Sequence, residues 1–165
     1  MQQSSLQYCF KRFSEITTQE FYALAKLRVD VFVVEQACVY PEFDGFDTLA
    51  STVHVQALNS ADDLVAYARL LCKGVNGKDD DCNFADKAVQ IGRVVVAPQN
   101  RGTGVARELM ERIIEMLQKQ NVSAIELSAQ TYVVPFYESL GFAVQSDEYL
   151  EDGIPHKDMQ FIQAP

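Results

Sequence analysis

The most informative segment of the sequence is Ile91-Gly-Arg-Val-Val-Val-Ala-Pro-Gln-Asn-Arg-Gly-Thr-Gly-Val-Ala106. Its first half is a short, mostly apolar run that is rich in β-branched residues and stopped by Pro98, which predicts a buried central strand. A helix of about four turns is predicted to follow, because apolar residues recur at every fourth position, at Val105, Leu109, Ile113 and Leu117. A strand that turns through two glycines directly into a helix predicts an anion-binding site.

The turn has the chemistry of a phosphate site. Gly102 and Gly104 let the backbone turn tightly and come close to a ligand, and the N–H groups of the first helical turn would point at it. Arg101 adds a positive charge that can hold phosphate oxygens. The stretch lacks the Lys-Ser/Thr ending of a nucleotide P-loop and the third glycine of a dinucleotide fingerprint, so a pyrophosphate on another carrier is indicated. The alternative is that the two glycines form only a tight turn.

The rest of the chain predicts a single α/β domain of the α+β type over residues 6–165. Thr17 to Glu20 resembles a capping box that opens a helix, in which Arg28 and Asp30 are expected to face solvent or a pocket. Residues 74–82 have the composition of an exposed loop. Further strands are expected at 6–13, 51–57, 64–71, 122–129, 142–145 and 159–162, with a short helix at 133–140.

The composition excludes several classes of function. With 23 acidic and 14 basic residues the net charge is -9, which argues against nucleic-acid binding and suits a cationic substrate. There is no apolar run long enough to cross a membrane and no secretory signal, so the cytoplasm is the expected location. The four cysteines contain no C-x-x-C pair and only two histidines could complete a site, so no metal is expected.

Two motifs carry a resemblance to a known superfamily. The segment Arg101-Gly-Thr-Gly-Val-Ala106 is similar to the Arg/Gln-x-x-Gly-x-Gly/Ala signature of GCN5-related N-acetyltransferases (GNAT), and Tyr137-Glu-Ser-Leu-Gly-Phe142 resembles their downstream tyrosine-to-Gly-Phe segment. The stretches 22–36, 44–47 and 151–156 resemble the ElaA-like branch. The chain departs from many relatives at Gln130-Thr131, where they place an asparagine that contacts the cofactor.

The resemblance implies a GNAT fold, with a mixed, mostly antiparallel sheet flanked by helices, and acetyl-CoA as cosubstrate. It implies direct transfer of the acetyl group to a primary amine of a small molecule or peptide. Tyr137 would act as general acid toward the leaving thiolate, although an aromatic residue on a packing helix is the other interpretation. The N–H of Val95 or Val96 would contact the thioester carbonyl. The residues implied for cofactor binding are Val94, Val95, Val96, Arg101, Gly102, Thr103, Gly104, Val105, Ala106 and Phe136.

The acceptor side is less determined by the sequence. Glu35, His54 and Asp152 are the expected substrate contacts, and His54 can equally be a hydrogen-bonded structural residue. The general base stays open among Glu35, water and several other groups: Asp44, Asp47, His54, Asp152 and His156. A homodimer is a further expected partner state. The alternatives to catalysis on an amine are a non-catalytic acyl-CoA sensor or interaction module, and transfer to a hydroxyl or from a larger acyl donor.

Overall fold

A computed structural model describes residues 6–73 and 83–162 of the chain, so the loop predicted at 74–82 lies outside the described residues. Its centre is an eight-stranded sheet, whose strands are β1 Gln7–Arg12, β2 Val53–Leu58, β3 Leu64–Cys72, β4 Ala88–Val96, β5 Ala124–Gln130, β6 Phe142–Val144, β7 Tyr149–Glu151 and β8 Ile154–Phe161. They lie in the order β1-β2-β3-β4-β5-β8-β6, with β7 paired to β8. Among the strand pairs of the described residues, β4 and β5 are parallel and the others antiparallel. The expected mixed, mostly antiparallel sheet is confirmed.

Helices cover both faces of this sheet. They are α1 Thr18–Arg28, which continues into a π-helical segment at Val29–Glu35, α2 Val105–Lys119 and α3 Val134–Glu138. The predicted capping box opens α1, because the Thr17 side chain accepts from the N–H of Glu20 and the Glu20 side chain accepts from the N–H of Thr17. None of the helices in the described ranges is long and apolar enough to cross a membrane.

The two faces have separate cores. On one face of the sheet, Leu109, Ile113 and Leu117 of α2 are completely buried. The apolar residues at every fourth position therefore do form the buried side of that helix. On the opposite face, Leu24 and Val31 pack on Tyr67 and Val95. The helix α1 therefore fixes the π-helical segment over β3 and β4.

A β-bulge changes the direction of β4 near its end. Tyr67 pairs with Val95 but Arg69 pairs with Gly92, so β4 carries one extra residue opposite β3. Arg93 lies in this bulge with φ of 52°, in the left-handed region. The bulge lies immediately before the segment that the sequence assigns to cofactor binding.

Two expectations were wrong. Arg28 was expected to face solvent or a pocket, but it is 0% exposed because buried carboxylates surround it. The last hairpin was also missed, since β7 is three residues long and mostly exposed. It is joined to β8 by Asp152 and Gly153, which have φ of 48° and 78°, as a two-residue type I′ turn requires.

Candidate functional site

The parallel strands β4 and β5 separate at the centre of the sheet. Their pairing runs from Ala88 with Ala124 to Ile91 with Leu127, whereas β4 continues to Val96 and β5 to Gln130. The strand segments beyond Ile91 and Leu127 form the two walls of an opening. We call this opening the β4–β5 cleft.

The backbone of Val96 is directed into the cleft. Ala97 donates its N–H to Val65 on β3 at 2.8 Å, so the backbone groups of the preceding residue point to the other side of the strand, toward β5. The contact between Arg101 Nε and the Val96 carbonyl at 3.3 Å agrees with this direction. Of the two residues expected to supply an N–H to the thioester, the structure favours Val96, because Val95 is 4% exposed and its backbone faces β3.

The glycine turn has the geometry of an anion cradle. Gly102 and Gly104 have φ of 75° and 88°, and a Cβ built on either would meet no atom within 4 Å. Gly104 is the N-cap of α2 and no side chain caps the helix, so the N–H groups at the start of α2 point outward from the turn. Thr103 stabilises the turn by donating its hydroxyl to the Asn100 carbonyl at 2.6 Å. These features fit the pyrophosphate of an acyl-CoA.

Arg101 and Glu35 were assigned to two different substrates, yet the structure brings them together. Arg101 Nη1 and Nη2 donate to the two carboxylate oxygens of Glu35 at 2.8 and 3.1 Å. The side chains are 43% and 45% exposed, so the bond lies at the surface. The adjacent Gln36 accepts from the Gln130 amide at 3.2 Å, which places Gln130 beside the end of the π-helical segment.

Tyr137 lies on α3 and its ring is buried. It is 8% exposed and packs edge-on against Phe136 and Phe142, with ring centroids 5.1 and 5.9 Å away. Burial, together with the nearby Tyr132, raises the pKa of Tyr137 to about 12, so its hydroxyl stays protonated at neutral pH. No hydrogen bond joins this hydroxyl to another described residue.

The structure does not place His54 at an accessible surface. The ring is 0% exposed, its Nε2 donates to the Asp47 carbonyl at 2.9 Å, and its Nδ1 accepts from the Tyr67 hydroxyl at 2.7 Å. Burial lowers the pKa of His54, which keeps the ring neutral. Both nitrogens are used, so His54 is a structural residue in this geometry and the acceptor contact assigned to it is not supported.

Asp152 belongs to the turn between β7 and β8. The backbone carbonyl of Asp152 accepts a hydrogen bond from the Cys38 thiol at 3.8 Å, and Asp152 is exposed. Asp152 therefore brings the β7–β8 turn next to the loop that follows the π-helical segment. His156, a candidate base, donates Nδ1 to the Ile154 carbonyl at 2.8 Å and its Nε2 lies 3.8 Å from Glu151.

A cluster of six charged side chains fixes that loop, and no local pattern in the sequence predicts it. Four members are almost fully buried, with 0% to 4% exposure. We call it the buried ion cluster; it contains Arg28, Glu42, Asp44, Asp47, Arg69 and Arg93.

Arg28 is the centre of the buried ion cluster. Its Nε donates to Glu42 at 2.5 Å and its Nη1 donates to Asp47. Its guanidinium also lies 5.1 Å from the centre of the Phe43 ring and 5.8 Å from that of Tyr67. Burial acts to raise the pKa of Asp47, but the hydrogen bond and charge of Arg28 outweigh it and hold that pKa below its ordinary value.

Arg69 and Arg93 attach the same loop to the sheet. Arg69 donates to Asp44 at 2.8 and 2.6 Å, and Arg93, in the β4 bulge, donates to Glu42 at 3.0 Å. Despite partial burial, Arg69 holds the pKa of Asp44 below its ordinary value. Three arginines and three carboxylates neutralise one another, so the cluster holds the loop at residues 42–47 without giving it a net charge.

The described residues offer no arrangement suited to a metal ion. Within ranges 6–73 and 83–162, no group of three or more His, Cys, Asp or Glu side chains could hold one. The acidic side chains that are close together, Glu42, Asp44 and Asp47, have arginine partners instead.

Comparison with known proteins gives consistent matches over most of the chain. Residues 29–162 match the family model for the acetyltransferase (GNAT) domain. A UPF0039 protein of Schizosaccharomyces pombe is 41% identical over 160 residues, which cover 95% of this chain and 97% of that protein. Protein ElaA of Escherichia coli is 40% identical over 154 residues, which cover 92% and 94%.

Solved structures show the same fold. An acyl-CoA N-acyltransferase from Pseudomonas aeruginosa superposes with a TM-score of 0.82 and 37% identity, covering 96% of this chain and 100% of that one. The crystal structure of Escherichia coli ElaA superposes with a TM-score of 0.82 and 34% identity over the same shares of the two chains.

Proposed function

Since the chain belongs to the GNAT acetyltransferase family, we propose that it transfers an acetyl group from acetyl-CoA to a primary amine of a small molecule or peptide. The observation that carries this proposal is the glycine turn at the mouth of the β4–β5 cleft. An uncapped helix start, two glycines with positive φ and an arginine meet where the backbone of Val96 faces the cleft. The expected family resemblance, including its ElaA-like branch, is confirmed.

The residues divide the work as follows. The N–H groups that open α2, from Val105 onward, and the Arg101 guanidinium would hold the pyrophosphate of the cosubstrate. The Val96 N–H would donate to the thioester carbonyl oxygen, where negative charge develops as the amine attacks. Val94 would line the pantetheine arm, and Phe136 would pack against the cofactor.

Tyr137 would supply the proton for the leaving group. The amine nitrogen bonds to the carbonyl carbon, the carbon–sulfur bond breaks, and the departing sulfur takes the proton of the Tyr137 hydroxyl. A hydroxyl that is protonated at neutral pH and makes no bond to a described residue suits this role. Solvent then returns a proton to the tyrosinate. The amine loses its own proton to water or to one of Glu35, Asp152 and His156, since Asp44, Asp47 and His54 are already bound within the fold.

Incubation with acetyl-CoA and a panel of polyamines, amino acids and peptides, with detection of free thiol, tests the proposed function. Thiol release that depends on a particular amine supports it, and mass spectrometry should show the acetylated amine. Tight CoA binding without thiol release for any acceptor would instead support the sensor module. The cytoplasmic location, the absence of a nucleic-acid or membrane partner and the homodimer stay predictions from the sequence.

Replacing Gly104 by valine should weaken CoA binding by about 10- to 100-fold, which corresponds to losing one charge-assisted hydrogen bond of about 1.5–3 kcal/mol. The φ of 88° is unfavourable for any residue with a Cβ and most of all for a β-branched one. The added methyl groups would also occupy the space that the phosphate must enter. Isothermal titration calorimetry with CoA measures the change.

Gly153→Val is a matched control for this measurement. Gly153 has φ of 78° and open space around its Cβ position, but it lies in the β7–β8 turn. Its valine variant should lose stability in a thermal melt while its CoA affinity stays within about twofold of wild type. Unchanged CoA binding in a folded Gly104→Val protein would refute the pyrophosphate assignment.

Cationic acceptors should react faster than anionic ones of similar size, and added salt should reduce the difference. The buried ion cluster is neutral overall, so the attraction must come from Glu35 and the net charge of -9 rather than from Asp44 and Asp47. Electrostatic attraction typically changes association by about 10- to 1,000-fold and fades as salt shortens its range. The measurement is kcat/KM for each acceptor at saturating acetyl-CoA from low to high ionic strength. Equal rates for both charges at low salt would contradict the prediction.

A further inference from the structure

The guanidinium of Arg101 has two edges, each of which can hold an oxyanion by a pair of hydrogen bonds. In the structure, groups of the protein already contact both edges. Nη1 and Nη2 together bind the Glu35 carboxylate at 2.8 and 3.1 Å, and Nε donates to the Val96 carbonyl at 3.3 Å. A phosphate that binds the same Arg101 fork must therefore displace Glu35 or share the guanidinium with it. The carboxylate and the phosphate are both anions, so they compete for one cation.

Glu35 is held where it can respond to such competition. It is the last residue of the π-helical segment Val29–Glu35. Such π-helical turns are rare in proteins, and those that occur often lie at functional sites. The next residue, Gln36, contacts Gln130 at the end of β5. Residues 35 and 36 thus reach from the glycine turn on one wall of the β4–β5 cleft to the strand end on the other wall.

The bond to Arg101 is weak enough to be exchanged. Both side chains are more than 40% exposed, and exposed ion pairs contribute little stability because water screens them. A pyrophosphate carries more charge than one carboxylate and gains the N–H groups at the start of α2 as additional donors. The phosphate should therefore win the competition for Arg101.

We propose that Glu35 is a positioning residue that couples the two substrates, because it competes with the cofactor pyrophosphate for Arg101 and, once displaced, faces the ammonium group of the acceptor. This inference rests on the proposed transfer from acetyl-CoA to an amine. Coupling of this kind is reciprocal: if CoA binding releases Glu35 for the acceptor, a cationic acceptor must strengthen CoA binding by the same factor.

Glu35→Gln tests the competition, because it keeps the shape of the side chain and removes its charge. Calorimetry at low ionic strength should show CoA binding about 3- to 5-fold more tightly, since an exposed ion pair is typically worth up to about 1 kcal/mol. The acceptor KM should rise more than kcat falls, because the carboxylate that meets the ammonium is gone. Glu111→Gln is the matched control, since Glu111 is also exposed and paired with an arginine, Arg107, but lies along α2.

The Arg101→Gln background separates competition from a general charge effect. Glu35→Gln should not alter CoA affinity in that background, because the shared guanidinium is absent. The proposal is overturned if Glu35→Gln leaves CoA affinity unchanged or weakens it, or if the same gain persists with Arg101→Gln. Either result leaves the proposed function standing, provided that the wild-type protein binds CoA and releases thiol. A wild-type protein that does not bind CoA overturns both proposals.

Discussion

Tyr137→Phe should lower kcat by about 100- to 10,000-fold, the contribution that general acid catalysis typically makes. The variant keeps the ring and its packing on Phe136 and Phe142 and removes the group that protonates the leaving sulfur. Because the hydroxyl makes no bond to another described residue, its removal should change the free energy of unfolding by less than about 1 kcal/mol. CoA affinity should also be retained.

The measurement is turnover and melting temperature on the same preparation, with the best acceptor, where chemistry limits the rate. Tyr132→Phe is the control, because Tyr132 lies just before α3 and is 72% exposed. This variant should keep wild-type turnover. A pKa near 12 also means that Tyr137 itself should cause no loss of activity between pH 6 and 10. Wild-type turnover in a folded Tyr137→Phe protein would remove Tyr137 from the mechanism and leave water as the proton donor.

Arg28→Met should destabilise the fold by about 3–5 kcal/mol, because removal of one partner leaves buried charges uncompensated. Arg28 is 0% exposed and binds both Glu42 and Asp47, whose side chains are only 3% and 5% exposed. Methionine fills much of the same volume, so the loss reflects the missing charge and hydrogen bonds. At about 2–4 °C per kcal/mol, the melting temperature should fall by about 6–20 °C.

Lys26→Met is the control for this effect, since Lys26 precedes Arg28 on α1 and pairs with Asp30 at the surface, with a side chain that is 59% exposed. Its variant should lie within about 1 kcal/mol of wild type. Comparable melting temperatures for the Arg28 and Lys26 variants would show that the buried ion cluster does not stabilise the fold.

The stability that the buried ion cluster contributes should fall as the pH is lowered. The pKa values of Asp44 and Asp47 lie below their ordinary value in the folded protein, so their stabilising effect is complete above the ordinary carboxylate range, about pH 4. It is lost as the pH falls through the lowered folded values. The stability gap between wild type and Arg28→Met should therefore narrow below about pH 4, because protonation of Asp47 removes the charge that Arg28 compensates.

The strand, glycine turn and helix at residues 91–119 could be predicted because their signals are local. The signals are the β-branched residues, Pro98, the two glycines and the apolar residues at every fourth position. Each of them acts on neighbours only a few residues away. The capping box at Thr17 is local as well, and the structure contains it. These short-range features were enough to predict the anion cradle, whereas the family prediction also needed the resemblance of Tyr137-Glu-Ser-Leu-Gly-Phe142 and of the stretches 22–36, 44–47 and 151–156.

The buried ion cluster could not be predicted in the same way. Arg28 meets carboxylates that lie 14 and 19 residues away, and Arg93 meets Glu42 across 51 residues. An arginine between apolar helix positions looks like a solvent-facing residue until its partners are known. The motif Asp44-Gly-Phe-Asp47 was noticed in the sequence, but only the fold shows that its carboxylates bind arginines.

The roles of His54 and Glu35 could also not be decided from the sequence alone. The alternation of His54 with apolar neighbours on β2 fitted a catalytic or a structural residue equally well, and burial of both ring nitrogens favours the structural one. Glu35 was assigned to the acceptor and Arg101 to the cofactor, but their contact depends on the π-helical turn. A period of apolar residues near 3.6 does not distinguish such a turn from an α-helix.

The buried ion cluster also limits how the loop at residues 42–47 can be engineered. Residues 42–47 depend on arginines from α1, β3 and the β4 bulge, so a loop grafted from a relative would leave unmatched charges inside the host unless those arginines moved with it. The outer side of the loop is not bound by this constraint. Val39 and Phe46 are 97% and 41% exposed, so these two positions can be varied while the cluster is kept intact.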